Sequence, residues 1–241
     1  MNKSIPKKFK IFVDFDGTIT KKDIGEAFLL TFGDKETHRR AVSEWVGRKI
    51  GSSEAWNIML KPVVYEEDKF KMFLKEAELD STFKDFVKYA KERGDEIRIL
   101  SDGLDFYINE ILSREGLNEL ERYSNKAIFN GTSVSAVFPF QDEECKLCGN
   151  CKRNHILLYS SDDDFTVYIG DGNSDKCPSQ YCDYIFAKSS LLKFCEINRI
   201  SYFPFENFND IIEKLESLRY RKNLKKRYQA LLKRKEVYEL G

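Results

Sequence analysis

The sequence predicts an α/β protein: a doubly wound parallel sheet carrying a small helical insert. Three observations lead there. Short apolar runs at residues 10–15, 96–100 and 165–169 each end in acids, hydroxyls or glycines, as buried parallel strands with loaded C-terminal tips do. Amphipathic stretches separate the later runs, and alternation of strand and helix implies right-handed crossovers that cover both sheet faces. Residues 20–80 hold helical patches but no clear strand, a length sufficient to pack as a cap.

The elements can be taken in order. The first strand, residues 10–15, leads into Asp14-Phe15-Asp16-Gly17-Thr18. Helical patches follow at 25–32, 39–46, 53–60 and 66–76. Residues 81–93 carry Phe83, Phe86, Val87 and Ala90 at i, i+3, i+4, i+7 spacing, and Gly94 ends that helix. The second strand at 96–100 runs into Ser101-Asp102-Gly103, and a helix is expected at 104–112. Asn130-Gly131 signals a two-residue hairpin within 126–139. A helix at 155–160 precedes the third strand, 165–169, which runs into Gly170-Asp171-Gly172-Asn173-Ser174-Asp175. Weaker strands are expected at 184–187 and 200–203, with a helix at 191–199 between them. After Lys214 one helix is expected, packed by Leu215, Leu218, Leu224, Tyr228, Leu231 and Leu232. The division that follows is a Rossmann-like core at 1–19 and 81–210, a helical cap at 20–80, and a basic C-terminal helix at 211–241.

Composition narrows the function classes. With 41% hydrophobic and 33% charged residues among 241, the chain has the profile of a globular protein. Zero formal net charge favours no polyanionic partner overall. Between 214 and 235, however, ten Lys and Arg residues stand against one acid, Glu216. A solvated helix face is the plain explanation, and a nucleic-acid or membrane contact the competing one. There is no apolar run long enough for a membrane span, and the basic start lacks the apolar stretch of a secretory signal. Cytoplasm is the expected address, and six cysteines suggest reduced thiols or a metal site, not a disulfide framework.

The strand-end loops carry the chemistry, because ligands of such sheets bind beyond the strands' carboxyl ends. On an extended strand end Asp14 and Asp16 point to one side, and two neighbouring carboxylates repel unless a cation or proton relieves them. A hard divalent ion suits oxygen ligands and phosphate substrates. Gly17 allows close backbone approach and Thr18 offers a hydroxyl. Ser101 offers another, and Asp171 and Asp175 add acids. Lys152, at the start of the helix before the third strand, supplies the positive group. Each taken alone also fits a plain acidic turn or a surface lysine.

Together, DFDGT at 14–18, Ser101, Lys152 and GDGNSD at 170–175 resemble the haloacid dehalogenase superfamily of phosphohydrolases, in its helical-cap branch. Within it the chain is similar to the methionine-salvage enol-phosphate phosphatases. It is also similar to the phosphocholine and phosphoethanolamine phosphatases, which share the Cys-rich stretch ending in Cys151-Lys152. The resemblance implies that Asp14 is the nucleophile and Asp16 the general acid and base. It implies Mg²⁺ held by Asp14, Asp16 through its carbonyl, and Asp171, with Asp175 in support. Thr18, Ser101, Asp102, Gly103 and Lys152 are the implied phosphate-binding set, and the implied partner is a small phosphate ester. Phosphoserine phosphatases carry a Glu nine positions after the nucleophile, where this chain has Asp23. Lys21, Lys22, Arg39, Arg40 and Arg48 are candidates for substrate selection.

Cys145, Cys148 and Cys151, with His155 beyond, could supply a tetrahedral structural zinc site, but their spacing is tighter than common zinc motifs, which favours thiols. Cys177, Cys182 and Cys195 are expected as core fillers. A phosphomutase on the same scaffold and a binding protein using the basic tail are the alternatives.

Overall fold

β1 (Phe9–Val13) opens the fold, and a tight turn over Phe15–Ile19 leads from it into four helices. These are α1 (Ile24–Phe32), α2 (Lys35–Val46), α3 (Ser52–Leu60) and α4 (Glu67–Lys75). There follow α5 (Phe83–Arg93), β2 (Glu96–Leu104), α6 (Asp105–Arg114), β3 (Glu121–Asn130), β4 (Ser133–Val137), α7 (Lys152–Tyr159) and β5 (Phe165–Gly170). The chain finishes with β6 (Tyr184–Ala187), α8 (Ser189–Ile197), β7 (Phe203–Pro204), α9 (Phe208–Arg219) and α10 (Tyr228–Leu240). The structure is a computed structural model describing residues 6–240, Leu240 by its backbone alone. Residues 1–5 of the expected core and residue 241 of the expected tail lie outside the described residues. The strands hydrogen-bond in the order β4-β3-β2-β1-β5-β6-β7, the mostly parallel α/β sheet that the sequence predicts.

By packing, the chain divides into two units. The first comprises the described part of Met1–Asp14 with Leu79–Arg98 and Lys152–Gly241. In it β1 pairs parallel with β5, Val13 opposite Ile169, and β5 pairs parallel with β6, Gly170 opposite Ala187. Ile11, Phe12, Val13, Val167, Ile169 and Ile185 are fully buried, which is why these runs read as continuously apolar. Below them the side chains of Arg219 and Asp95, both wholly buried, form a 2.5 Å ion pair, and Arg219 also donates to the carbonyl of Lys7. A buried charge is tolerated only when paired and hydrogen-bonded in this way.

The second unit comprises Phe15–Glu78 and Ile99–Cys151. Asp23 and Asp34 cap α1 and α2 by accepting from the backbone N–H of Glu26 and Thr37. The rings of Phe28 and Phe70 meet at 4.9 Å, and Phe106 and Phe129 at 5.6 Å, tying α1, α4 and α6 to the β3–β4 hairpin by edge-on aromatic packing.

Five expectations need correction. The hairpin pairs Asn130 with Ser133, so the two turn residues are Gly131 and Thr132. Gly131, at φ +59, fills the first central position that demands the left-handed region. β2 runs on to Leu104, and the last strand is only Phe203–Pro204. The C-terminal tail is two helices with a break after Arg219, not one. Leu215 and Leu218 are buried, but Tyr228 and Leu232 are 69% and 41% exposed, and α10 packs through Ala230 and Arg234. Arg234 donates to the carbonyl of Tyr181, and Arg227 to those of Cys182, Ser179 and Gln180. Part of the basic run is therefore turned inward to bind carbonyls. Finally, Cys177 is exposed, whereas Cys182 and Cys195 are buried. No helix among the described residues is long and apolar enough to cross a membrane.

Candidate active site

Asp14 follows the last residue of β1, and its N–H donates to the carbonyl of Ile169 on β5 at 2.9 Å. The strand end thus fixes its backbone. Asp14 is buried, 4% exposed, and its carboxylate takes a 2.5 Å contact from the ammonium of Lys152. Lys152 opens α7 and is itself buried. Its Nζ donates as well to Asp175 at 2.7 Å and to the Ser174 hydroxyl at 3.0 Å. Burial works against the lysine's charge, but Asp14 and Asp175 outweigh it and raise the pKa, so the ammonium persists at neutral pH.

Asp175 is built into this cluster from every side. Its Oδ1 accepts from Lys152 and from the Tyr168 hydroxyl at 2.6 Å, and its Oδ2 accepts from the N–H groups of Asp171 and Gly172, both at 2.9 Å. A Cβ at position 170 would lie 2.5 Å from that Oδ2, so only glycine fits at the end of β5. The carbonyl of Asp171 is held by Leu191 N–H and the Ser190 hydroxyl at the start of α8. Asp14, Asp171 and Asp175 each offer a carboxylate oxygen within 4.8 Å of the others, the one such group among the described residues. Hard oxygen donors at this spacing could hold a divalent cation. Because both oxygens of Asp175 already accept two hydrogen bonds, Asp14 and Asp171 are the better ligands of the three.

The second unit holds a separate cluster around Asp16. Its Oδ1 accepts from the N–H groups of Ile24 and Gly25 at 3.1 and 3.2 Å, at the start of α1. Its Oδ2 accepts from the hydroxyls of Ser101 and Tyr107 at 3.1 and 3.0 Å. Burial, aided by the charge of Asp23, pushes its pKa up to about 7, against the pull of these hydrogen bonds. A carboxyl group poised there can give and take a proton near neutral pH.

The remaining sequence candidates fall as follows. Thr18 is fully buried within the turn after β1. Gly103 N–H donates to Ser101 Oγ at 2.9 Å. The carboxylate of Asp102 accepts from Asn150 N–H and Asn125 Nδ2, while its carbonyl accepts from Trp56 Nε1 at 2.8 Å and Asn125 Nδ2. Asp102 and Gly103 therefore shape the strand end that presents Ser101. Lys21 pairs with Glu78 at 2.5 Å on the surface. The zinc candidates do not assemble: Cys145, Cys148 and Cys151 form no metal-ligand group among the described residues. They run from an exposed turn at Cys145 to a buried position at Cys151, just before α7. Sequence reasoning missed Tyr107, Tyr168 and Lys188. Burial lowers the pKa of Lys188, while Asp171, Asp80 and Asp14 act in the opposite direction. No motif marks the two tyrosines, but Lys188 follows a strand end, a position that could have flagged it.

Known proteins resemble the chain over most of its length. The family described as "Putative Phosphatase" matches residues 9–193. A 2-hydroxy-3-keto-5-methylthiopentenyl-1-phosphate phosphatase of Bacillus mycoides is 31% identical over 214 residues, 87% of this chain and 96% of the relative. The protein of that name from Brevibacillus brevis is 32% identical over 217 residues, covering 88% and 97%. Among solved structures, a phosphoserine phosphatase with a phospho-aspartyl intermediate analogue superposes with TM-score 0.64 at 19% identity, covering 87% of this chain and 99% of that one. A haloacid dehalogenase family hydrolase from Salmonella enterica serovar Typhi gives 0.67 at 14%, covering 88% and 72%. The chain belongs to this family of phosphatases.

Proposed function

We propose that this phosphatase hydrolyses a small phosphate monoester through a phosphoryl-aspartate at Asp14, with Mg²⁺ as cofactor. The observation that carries the proposal is Asp14 itself: a buried carboxylate at a strand end, contacted by an obligate ammonium and gathered with Asp171 and Asp175. Asp14 attacks phosphorus, the P–O bond to the leaving group breaks, and an acyl phosphate forms. Asp16 protonates the departing oxygen, then removes a proton from the water that cleaves the acyl phosphate and restores Asp14. Lys152, Ser101 and Thr18 neutralise or hydrogen-bond the phosphoryl oxygens, and Asp175 keeps Lys152 in place. Asp14 and Asp171, with the carbonyl of Asp16, would hold the cation. When bound, Mg²⁺ offsets phosphate charge and keeps Asp14 ionised.

For the substrate we propose the methionine-salvage enol phosphate that the relatives' name describes. Identity near one third across almost the whole length of those relatives supports it. Asp23 is occupied as the cap of α1 through Glu26 N–H at 2.7 Å, which argues against its reading the amino group of phosphoserine. The test is a kinetic screen of the enol phosphate against phosphocholine, phosphoethanolamine and phosphoserine, with Asp14→Asn and a chelator as controls. The enol phosphate is expected to have the highest kcat/KM, and both controls to abolish turnover. A higher kcat/KM for any other ester overturns the substrate. Normal turnover by Asp14→Asn overturns the mechanism.

A further inference from the structure

We propose that Tyr107 is a positioning residue that holds the Asp16 carboxyl group in its proton-transferring orientation through a hydrogen bond the reaction never breaks. The proposal rests on the role given above to Asp16. Four donors meet that carboxyl group: Ile24 and Gly25 N–H on Oδ1, and the Ser101 and Tyr107 hydroxyls on Oδ2. They are not equivalent. A serine hydroxyl has one proton to donate, and Ser101 is also the group assigned to a phosphoryl oxygen. While Ser101 serves substrate it cannot serve Asp16, and Tyr107 is then the one side chain of the four still donating to Oδ2.

The surroundings show that this hydroxyl has a built place. Tyr107 is fully buried, and two glycines leave room for its tip. A Cβ at Gly103 would lie 1.7 Å from the Tyr107 hydroxyl oxygen and 2.7 Å from Asp16 Oδ2. A Cβ at Gly25 would lie 3.0 Å from the same hydroxyl and 3.2 Å from the Trp56 ring. The Tyr107 ring is itself packed at 6.3 Å from Phe15, next to Asp16 in the chain, and edge-on at 5.3 Å from Phe106. A rigid aromatic stem thus aims one donor at one carboxylate oxygen, as a precise site requires of its supporting residues.

General-acid help matters more as the leaving group becomes more basic. The experiment is therefore kcat/KM for a graded series from p-nitrophenyl phosphate to phenyl phosphate, with full-length wild type, Tyr107→Phe, Gly25→Ala and Asp16→Asn. kcat/KM reports only steps through departure of the leaving group, so later hydrolysis does not blur it. For Tyr107→Phe the deficit is expected to widen from about threefold with p-nitrophenyl phosphate to about thirtyfold with phenyl phosphate. Asp16→Asn should widen more steeply. Gly25→Ala, which crowds the hydroxyl but keeps it, should show the Tyr107→Phe pattern in weaker form. A Tyr107→Phe deficit constant along the series, beside a widening one for Asp16→Asn, overturns the proposal and leaves the role of Asp16 standing. A constant deficit for Asp16→Asn itself overturns that role, and this proposal with it.

Discussion

Replacing Lys152 with methionine tests the electrostatics of the Asp14 cluster most severely. The ammonium sits 2.5 Å from Asp14 and 2.7 Å from Asp175, with lysine and both acids at least nine-tenths buried. Methionine keeps most of the stem's volume and removes the charge, leaving two buried carboxylates without their cation and Asp171 beside them. Removing one partner of a buried pair costs about 3–5 kcal/mol, because the other charge stays desolvated and unpaired. Urea unfolding in a chelator is the assay, and Lys152→Met is expected to lose about 3–5 kcal/mol there. Asp14→Asn should lose less, because Lys152 keeps Asp175. The double variant should lose less than the sum of the two, since coupled neighbours are not additive. Excess Mg²⁺ should narrow the Lys152→Met deficit, because a bound cation stabilises the folded state by mass action and no longer competes with the ammonium. A loss below about 1 kcal/mol in the chelator, or one that grows with Mg²⁺, would refute this reasoning.

Two further outcomes are expected. Burial lowers the pKa of His155 to about 4, below the ordinary value of about 6.5. The unfolded chain therefore binds the extra proton first, and stability is lost as pH falls through that window. The loss attributable to His155 is on the order of 2 kcal/mol after allowing for partial solvent access. Urea midpoints from pH 7 to 4.5 should fall less steeply in His155→Leu than in wild type, and equal slopes would contradict the assignment. Gly170→Ala places a methyl 2.5 Å from Asp175 Oδ2. It should cost about 1–3 kcal/mol by overpacking and cut kcat at least tenfold through displacement of Lys152. Unchanged kcat and thermal midpoint would show that the approach is not tight.

What could be read from the chain was what is local. β1, β5 and β6 are buried on both faces, so their apolar runs mark them, and Asp14 after β1 and Gly170-Asp171 at the end of β5 mark where those two stop. The α1–α4 helices show by their period. What depended on distant partners was hidden. β2 outlasts its apolar run because Trp56, Asn125 and Asn150, from three separate segments, hold the Ser101 and Asp102 carbonyls. The tail breaks between Arg219 and Tyr228, where Arg227 finds the carbonyl of Cys182, and a leucine stripe cannot foresee that. The acids and Ser101 stand in short motifs and were visible. Tyr107 lies in an ordinary amphipathic helix and becomes chemical only where α6 docks.

A phosphoryl group caught on Asp14 would be the most direct evidence. Enzyme turning over p-nitrophenyl phosphate with Mg²⁺ would be quenched in acid, reduced with borohydride and digested for mass spectrometry. The expected result is a modified carboxyl at Asp14 alone, absent from Asp14→Asn. Modification at a different residue, or full turnover with no covalent species detected at any quench time, would contradict the role given to Asp14.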